Sequence, residues 1–131
     1  MTNTSTSSVT DPVRAGVANG WNVIDASTLE SSRTIEADVV IVGTGAGGGV
    51  TAEILADAGF NVVLIEEGPL KSSTDFRMRE AEAYPELYQE SAARKTKDKA
   101  ISILQGRCVG GGTTVNWTSS FRTPPATLMY W

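Results

Sequence analysis

Apolar residues in this chain are gathered into short runs, and the two clearest runs stand on either side of a glycine-rich segment and a helical pattern. The β-branched run at residues 38–42 is bounded by glycine, which is typical of a buried parallel strand. Residues 61–65 form a second run of the same kind. Between them, apolar side chains recur at the spacing of one helical face: Val50, Ile54, Leu55 and Ala58. Gly59 follows where such a helix would end. The pattern predicts a βαβ unit, in which a helix joins two parallel strands.

The first 35 residues have a different character. They are polar apart from two apolar clusters, at residues 13–17 and 21–24. We expect residues 1–35 to form an extension that packs as a strap or a short strand. A chain of 131 residues holds one domain or a part of one. Residues 36–131 are therefore predicted to form one domain or a part of one.

Beyond the βαβ unit the pattern is weaker. Helix-forming residues at 78–83 predict a helix that Pro85 should break or restart. The apolar run at residues 101–104 is a candidate third strand. A complete doubly wound sheet has about five or six strands, and only three are predicted here. The predicted fold class is therefore α/β, a Rossmann-like unit with an incomplete doubly wound parallel sheet.

A glycine motif lies directly between the first predicted strand and the helix. Gly43, Gly45 and Gly48 stand in the register G-x-G-x-x-G, which permits a tight turn, a close approach to a pyrophosphate and close packing of helix on sheet. Glu66 ends the second predicted strand, where an acidic side chain accepts the ribose hydroxyls and repels a 2′-phosphate. This favours FAD or NAD over NADP. Glu67 should point the other way, into solvent. The alternative is a glycine turn that binds nothing.

A second glycine cluster opens a block at residues 106–117. Three consecutive glycines are followed by two hydroxyls and an amide, which together offer donors for a phosphate or a polar ring. A long structural glycine turn is the alternative interpretation. Cys108 lies inside this block, and we expect a small buried residue there rather than a redox thiol.

In these two segments the sequence resembles the glucose-methanol-choline (GMC) flavin oxidoreductases. Residues 43–48 with Glu66-Glu67-Gly68 are similar to the FAD fingerprint of that family, and residues 106–116 are similar to its G-R-x-V-G-G-x-S/T-x-x-N block. The order of the two segments is the same. The resemblance covers residues 38–131 and is strongest to the branch of long-chain alcohol oxidases and dehydrogenases.

The resemblance implies that residues 36–131 are the incomplete N-terminal portion of an α/β FAD-binding domain. The enzyme would oxidise the CH–OH group of an alcohol by hydride transfer to flavin. By this resemblance Gly43, Gly45 and Gly48 hold the pyrophosphate, and Glu66 holds the adenosine ribose. The part of FAD from the phosphates to the flavin ring is bound, by the same resemblance, by five further residues: Arg107, Gly111, Thr113, Thr114 and Asn116. Some members attach FAD covalently through a His just before the Asn, and Val115 stands at that position. The resemblance therefore implies non-covalent FAD.

Composition excludes several kinds of chemistry within this chain. It has 0 His, so a histidine base, a histidine metal ligand and a Ser/His/Asp triad are all ruled out. The family's catalytic His belongs to a more C-terminal segment, so we predict no catalytic residue and no metal site here, and we expect that segment to be needed for activity. A stand-alone FAD- or NAD-binding module and an inactive truncated product are the alternatives.

Charge and hydropathy bear on partners and location. A net charge of -4 gives no electrostatic reason to expect nucleic acid, which leaves a small-molecule alcohol as the expected partner of the complete enzyme. No apolar run is long enough to predict a transmembrane span. The single cysteine favours a cytoplasmic protein, and peripheral membrane attachment stays open.

Overall fold

The structure is a computed structural model that describes residues 10–131, and it combines helices with one small sheet. The helices are α1 (Pro12–Ala18), α2 (Ala46–Asp57), α3 (Glu80–Leu87), α4 (Gly112–Val115) and α5 (Pro125–Tyr130). The strands are β1 (Val39–Val42) and β2 (Val62–Ile65), and short 3₁₀ segments lie at Ala26–Thr28 and Gln89–Ala92.

The two strands and α2 form the predicted βαβ unit. β1 and β2 pair in parallel, with Val39 opposite Val62 and Val42 opposite Ile65. Helix α2 lies between them in the chain, and Gly59, just beyond its end, adopts the left-handed conformation with a φ of 90°. This confirms the mixed α/β character and the parallel pair at the centre of the prediction.

Small residues bring α2 close to the sheet. Ala52 is buried, and a side chain at Gly48 would collide with the carbonyl oxygen of Gly43. Two members of the predicted apolar face, Val50 and Ile54, are instead 57% and 62% exposed. The helix thus packs on the two strands through positions with small residues, since these permit a closer approach than branched side chains do.

The opposite face of the sheet is uncovered within residues 10–131. Val42 is 83% exposed, and Val40 is about half exposed. Only two strands form a sheet in this described part of the chain. The expected third strand at residues 101–104 is wrong, because its backbone bonds locally: the amide of Ile103 donates to the Arg94 carbonyl in a loop closed by one isolated bridge.

The first apolar cluster of the extension forms helix α1, which corrects the expectation of a short strand. Asp11 caps α1 by accepting a hydrogen bond from the backbone N–H of Arg14, and Pro12 stands at the first helical position. These are helix-start signals that override a short apolar cluster. The same Asp11 carboxylate accepts hydrogen bonds from Ser72 and Thr74. The hydrogen bonds from Arg14 and Ser72, with those from Thr74, hold the pKa of Asp11 well below its ordinary value.

A second correction concerns Pro85, which lies inside α3 instead of breaking it. Proline lacks a backbone N–H, so it removes one hydrogen bond from α3, and the helix continues for two more residues to Leu87. Leu87, Tyr88 and Cys108 form a small buried cluster, and the Tyr84 ring meets that of Tyr88 edge to face at 5.3 Å. This cluster attaches α3 to the second glycine block.

Candidate functional site

Two glycine-rich segments, the first at residues 43–48 and the second at residues 106–112, line the same cleft. The cleft has a volume of about 410 Å³ and lies where β1 and β2 end. Five of the nine predicted cofactor residues line it: Gly43, Gly45, Glu66, Arg107 and Gly111. The carboxyl ends of parallel strands are where open α/β sheets bind their ligands. The structure therefore brings motifs that are far apart in the sequence to the binding edge of the sheet.

The first glycine segment keeps the floor of this cleft open. Gly43 has a φ of 92°, a left-handed conformation that favours glycine. Gly45 lines the cleft, and no atom of residues 10–131 lies within 4 Å of the position that a Cβ there would occupy. Gly48 does not line the cleft, and its lack of a side chain serves the packing of α2 on β1. The segment has the shape of a cradle for a diphosphate at the start of a helix.

Glu66 lies at the end of β2 and reaches back to the first glycine segment. Its Oε2 accepts hydrogen bonds from the amide and hydroxyl of Thr44 at 2.8 and 2.7 Å, and its Oε1 accepts one from the Gly68 amide at 3.1 Å. Burial raises the pKa of Glu66, but these hydrogen bonds together lower it by more than burial raises it. The pKa therefore lies below its ordinary value. A carboxylate accepts about four hydrogen bonds, which leaves capacity for a ribose hydroxyl.

Arg107 and Glu67 form an ion pair at the rim of the cleft. The Arg107 Nε donates to Glu67 Oε1 at 2.9 Å. Both side chains are well exposed, as expected for Glu67, although Glu67 lines the same cleft as Glu66. The pairing itself was not predicted, because residues 40 positions apart carry no signal of contact in a single sequence. It orients the guanidinium group at the cleft that Glu66 lines.

The second glycine segment lies directly on the first. The backbone amide of Gly110 donates to the Thr44 hydroxyl at 3.0 Å. Gly111 has a φ of 52°, and a side chain there would come within 3.2 Å of the Gly45 Cα. The close approach and the left-handed backbone therefore favour glycine at position 111. Gln89 and Gln105 also line the cleft, although the sequence offered no signal for either.

Three other predicted residues do not line this cleft. Thr113 and Thr114 donate their hydroxyls to the carbonyls of Gly110 and Val109, and the Asn116 amide donates to the Ser119 carbonyl. Thr114 and Asn116 line a second cavity, of about 760 Å³, on the side of the tyrosines of α3. Their contact with a cofactor stays a prediction.

Cys108 is completely buried beneath the second glycine segment. Burial raises the pKa of its thiol above the ordinary value. The expected small buried residue is confirmed, and a thiol in this state is a poor nucleophile. Among residues 10–131 no group of three acidic, cysteine or histidine side chains could hold a metal ion. In the same part of the chain, none of the helices combines the length and the apolar character that a membrane crossing requires.

Comparison with known proteins finds a family match for each of the two glycine segments. The FAD binding domain family matches residues 38–78, which hold the first glycine segment and Glu66. The GMC oxidoreductase family matches residues 84–131, which hold the second glycine segment. The two family matches thus divide between the two segments that meet in the structure.

Individual relatives agree with the family matches. The chain is 36% identical over 110 residues to long-chain-alcohol oxidase FAO4A from Arabidopsis thaliana, and the aligned region covers 84% of this chain and 15% of that protein. Long-chain-alcohol oxidase FAO4B from the same plant is 42% identical over 97 residues, or 74% of this chain and 13% of the relative. An uncharacterized GMC-type oxidoreductase, y4nJ from Sinorhizobium fredii, is 35% identical over 108 residues, or 79% and 21%. The chain spans between about an eighth and a fifth of these relatives.

Proposed function

Because this chain belongs to the GMC oxidoreductase family and matches its FAD-binding N-terminal part, we propose that it forms the cofactor-binding portion of an enzyme that oxidises the CH–OH group of an alcohol. The observation that carries the proposal is the single cleft that both glycine segments close at the carboxyl ends of β1 and β2. The names of the plant relatives support an alcohol as the substrate.

The residues of the cleft fit FAD. The open position at Gly45 gives room for the pyrophosphate next to the start of α2, and the lowered pKa of Glu66 keeps an ionised acceptor for the adenosine ribose. Arg107 places a positive charge at the rim, where it offsets the negative charge of the diphosphate. When bound, FAD supplies the hydride acceptor of the reaction. The role of the residues in this chain is to bind and orient it.

Thr113, Thr114 and Asn116 are proposed to shape the path from the phosphates to the flavin. Their hydrogen bonds within residues 109–119 hold the second glycine segment in its turn.

Val115 stands where a histidine would make a covalent link, which supports non-covalent attachment of FAD. Denaturing a flavin-loaded sample with acid should release all the flavin into the supernatant; flavin that stays with the precipitated protein would contradict this.

The two strands are proposed to belong to a doubly wound sheet, with residues 36–131 as its N-terminal portion. The exposed valines of β1 support this, as do the two sheet edges that no other strand of residues 10–131 pairs with, since uncovered apolar faces and unpaired edges are unfavourable in water. The chain contains 0 His, so the base that removes the hydroxyl proton of the alcohol is proposed to come from another segment of the enzyme. A cytoplasmic location remains a prediction from the cysteine content.

The test is ligand binding to the 131-residue chain, with FAD and NAD compared in the same thermal-shift experiment. A ligand that binds only the folded state raises the melting temperature. We expect FAD to stabilise the chain and NAD to do so less, because only FAD has a portion that could follow the second glycine segment. Stabilisation by NAD alone would favour the second candidate, a stand-alone nucleotide-binding module, and would contradict the flavoenzyme assignment.

A further inference from the structure

The hydroxyl of Thr44 joins three parts of the chain that are distant in sequence. It donates to Oε2 of Glu66 at the end of β2, and it accepts the backbone N–H of Gly110 in the second glycine segment. Thr44 itself lies between the first two glycines of the first segment. One side chain therefore links the first segment to both other elements of the cleft.

The direction of these hydrogen bonds makes the hydroxyl specific. A hydroxyl has one hydrogen to donate and lone pairs with which to accept. Glu66 is ionised and can only accept, while the Gly110 amide can only donate, so the Thr44 hydroxyl is matched to both neighbours at once. Serine preserves this match, whereas valine has the same shape without either bond.

We propose that Thr44 is a positioning residue for FAD, which holds the Glu66 carboxylate and the turn at Gly110 and Gly111 in register across the cleft. The inference rests on the proposed FAD-binding function. Its geometric basis is that the two turns lie so close together that a Cβ at Gly111 would come within 3.2 Å of the Gly45 Cα, so a shift of the second segment would change the width of the cleft beside the proposed pyrophosphate position. The hydroxyl is partly buried, which strengthens its hydrogen bonds relative to those in water.

The ionisation of Glu66 responds to the same hydroxyl. Burial raises the pKa of Glu66, and the hydrogen bond from the Thr44 side chain is the first of those that outweigh it. The other charged groups lining the cleft are Arg107 and Glu67, which pair with each other, and the buried thiol of Cys108 is close enough for Glu66 to raise its pKa. Removing the hydroxyl should therefore raise the pKa of Glu66.

The test compares Thr44→Val with Thr44→Ser in the 131-residue chain by titration calorimetry with FAD across the acid range. At neutral pH, Thr44→Val should weaken FAD binding by about tenfold or more, as expected for the loss of a hydrogen bond to a charged group, and Thr44→Ser should stay within about threefold of the parent. As the pH falls, binding weakens when Glu66 takes up a proton. We call this loss of affinity at low pH the acid limb of the binding curve. The acid limb should move to higher pH in Thr44→Val and stay at the same pH in Thr44→Ser.

Each outcome of the experiment decides a separate point. If the parent chain does not bind FAD, the proposed function is wrong. If the parent binds and Thr44→Val binds equally well with the same acid limb, only the role of Thr44 is overturned. Thr44→Ala, which also lacks the hydroxyl, is used if Thr44→Val does not fold. Loss of folding in both variants with rescue by serine would mean that the hydroxyl supports the fold alone, which overturns its assignment to the cofactor.

Discussion

The two glycine segments of the cleft look alike in the sequence but are built in different ways. The first is held by regular structure, because it connects β1 to α2. The second is held by hydrogen bonds of its own side chains and by the buried cluster around Cys108. The comparison teaches that a glycine-rich stretch acquires its shape from what surrounds it. The first segment can be interpreted from a strand and helix pattern, whereas the second needs contacts that the pattern does not contain.

Gly45→Val should have the largest effect on the cleft. The new side chain would enter the open space where the pyrophosphate is proposed to lie, so we expect FAD binding to be lost. Folding should change little, by about 0.5 kcal/mol or less, because within the described part of the chain no atom lies within 4 Å of the new Cβ. Calorimetric titration with FAD and urea unfolding measure the two effects. Normal flavin binding by this variant would show that the pyrophosphate lies elsewhere.

Gly48→Ala and Gly47→Ala separate packing from binding within the first segment. A methyl group at Gly48 would collide with the Gly43 carbonyl, whereas one at Gly47 meets no atom of residues 10–131 within 4 Å. We expect Gly48→Ala to lower the free energy of unfolding by about 1–3 kcal/mol. Gly47→Ala should leave it unchanged or raise it by up to about 1 kcal/mol, because alanine favours a helix.

Urea unfolding of both variants decides the point, since they differ only in which of two adjacent helical positions gains the methyl group. Equal stability of the two variants would mean that α2 does not pack on β1 through Gly48. The contrast between segments would then lose its basis, because the first segment would no longer be supported by helix and strand packing.

Glu67→Gln should have the smallest effect of these changes. Its pair with Arg107 joins the two segments at the rim, but both side chains are well exposed. Exposed ion pairs contribute about 0.2–1 kcal/mol and are screened by salt. FAD affinity should therefore change by no more than about fivefold, and the change should shrink at high salt. Glu53→Gln, an exposed position on α2, is the control for loss of one negative charge. A large effect that salt does not reduce would place Glu67 inside the binding site.

Much of the first segment and its strands follows from the sequence alone. The βαβ unit, the position of Gly43 to Gly48 in it and the place of Glu66 at the end of β2 were all predicted, and the structure contains this arrangement. The prediction of a third strand at residues 101–104 failed because an apolar run of four residues is compatible with a loop that bonds to its own neighbours. The helix at α1 was missed because a cap at Asp11 and a proline decided it, against a weak apolar cluster.

The sequence by itself determined the order of strand, glycine turn, helix and strand, because apolar periodicity and the wide dihedral freedom of glycine act over a few neighbouring residues. It also determined that histidine chemistry is absent from these 131 residues. Only the tertiary structure decided which face of α2 is buried, that Arg107 meets Glu67, and that the Thr44 hydroxyl joins Glu66 to Gly110. Each of these depends on contacts between residues far apart in the chain, and such contacts form only when the folded backbone brings the partners within hydrogen-bond distance.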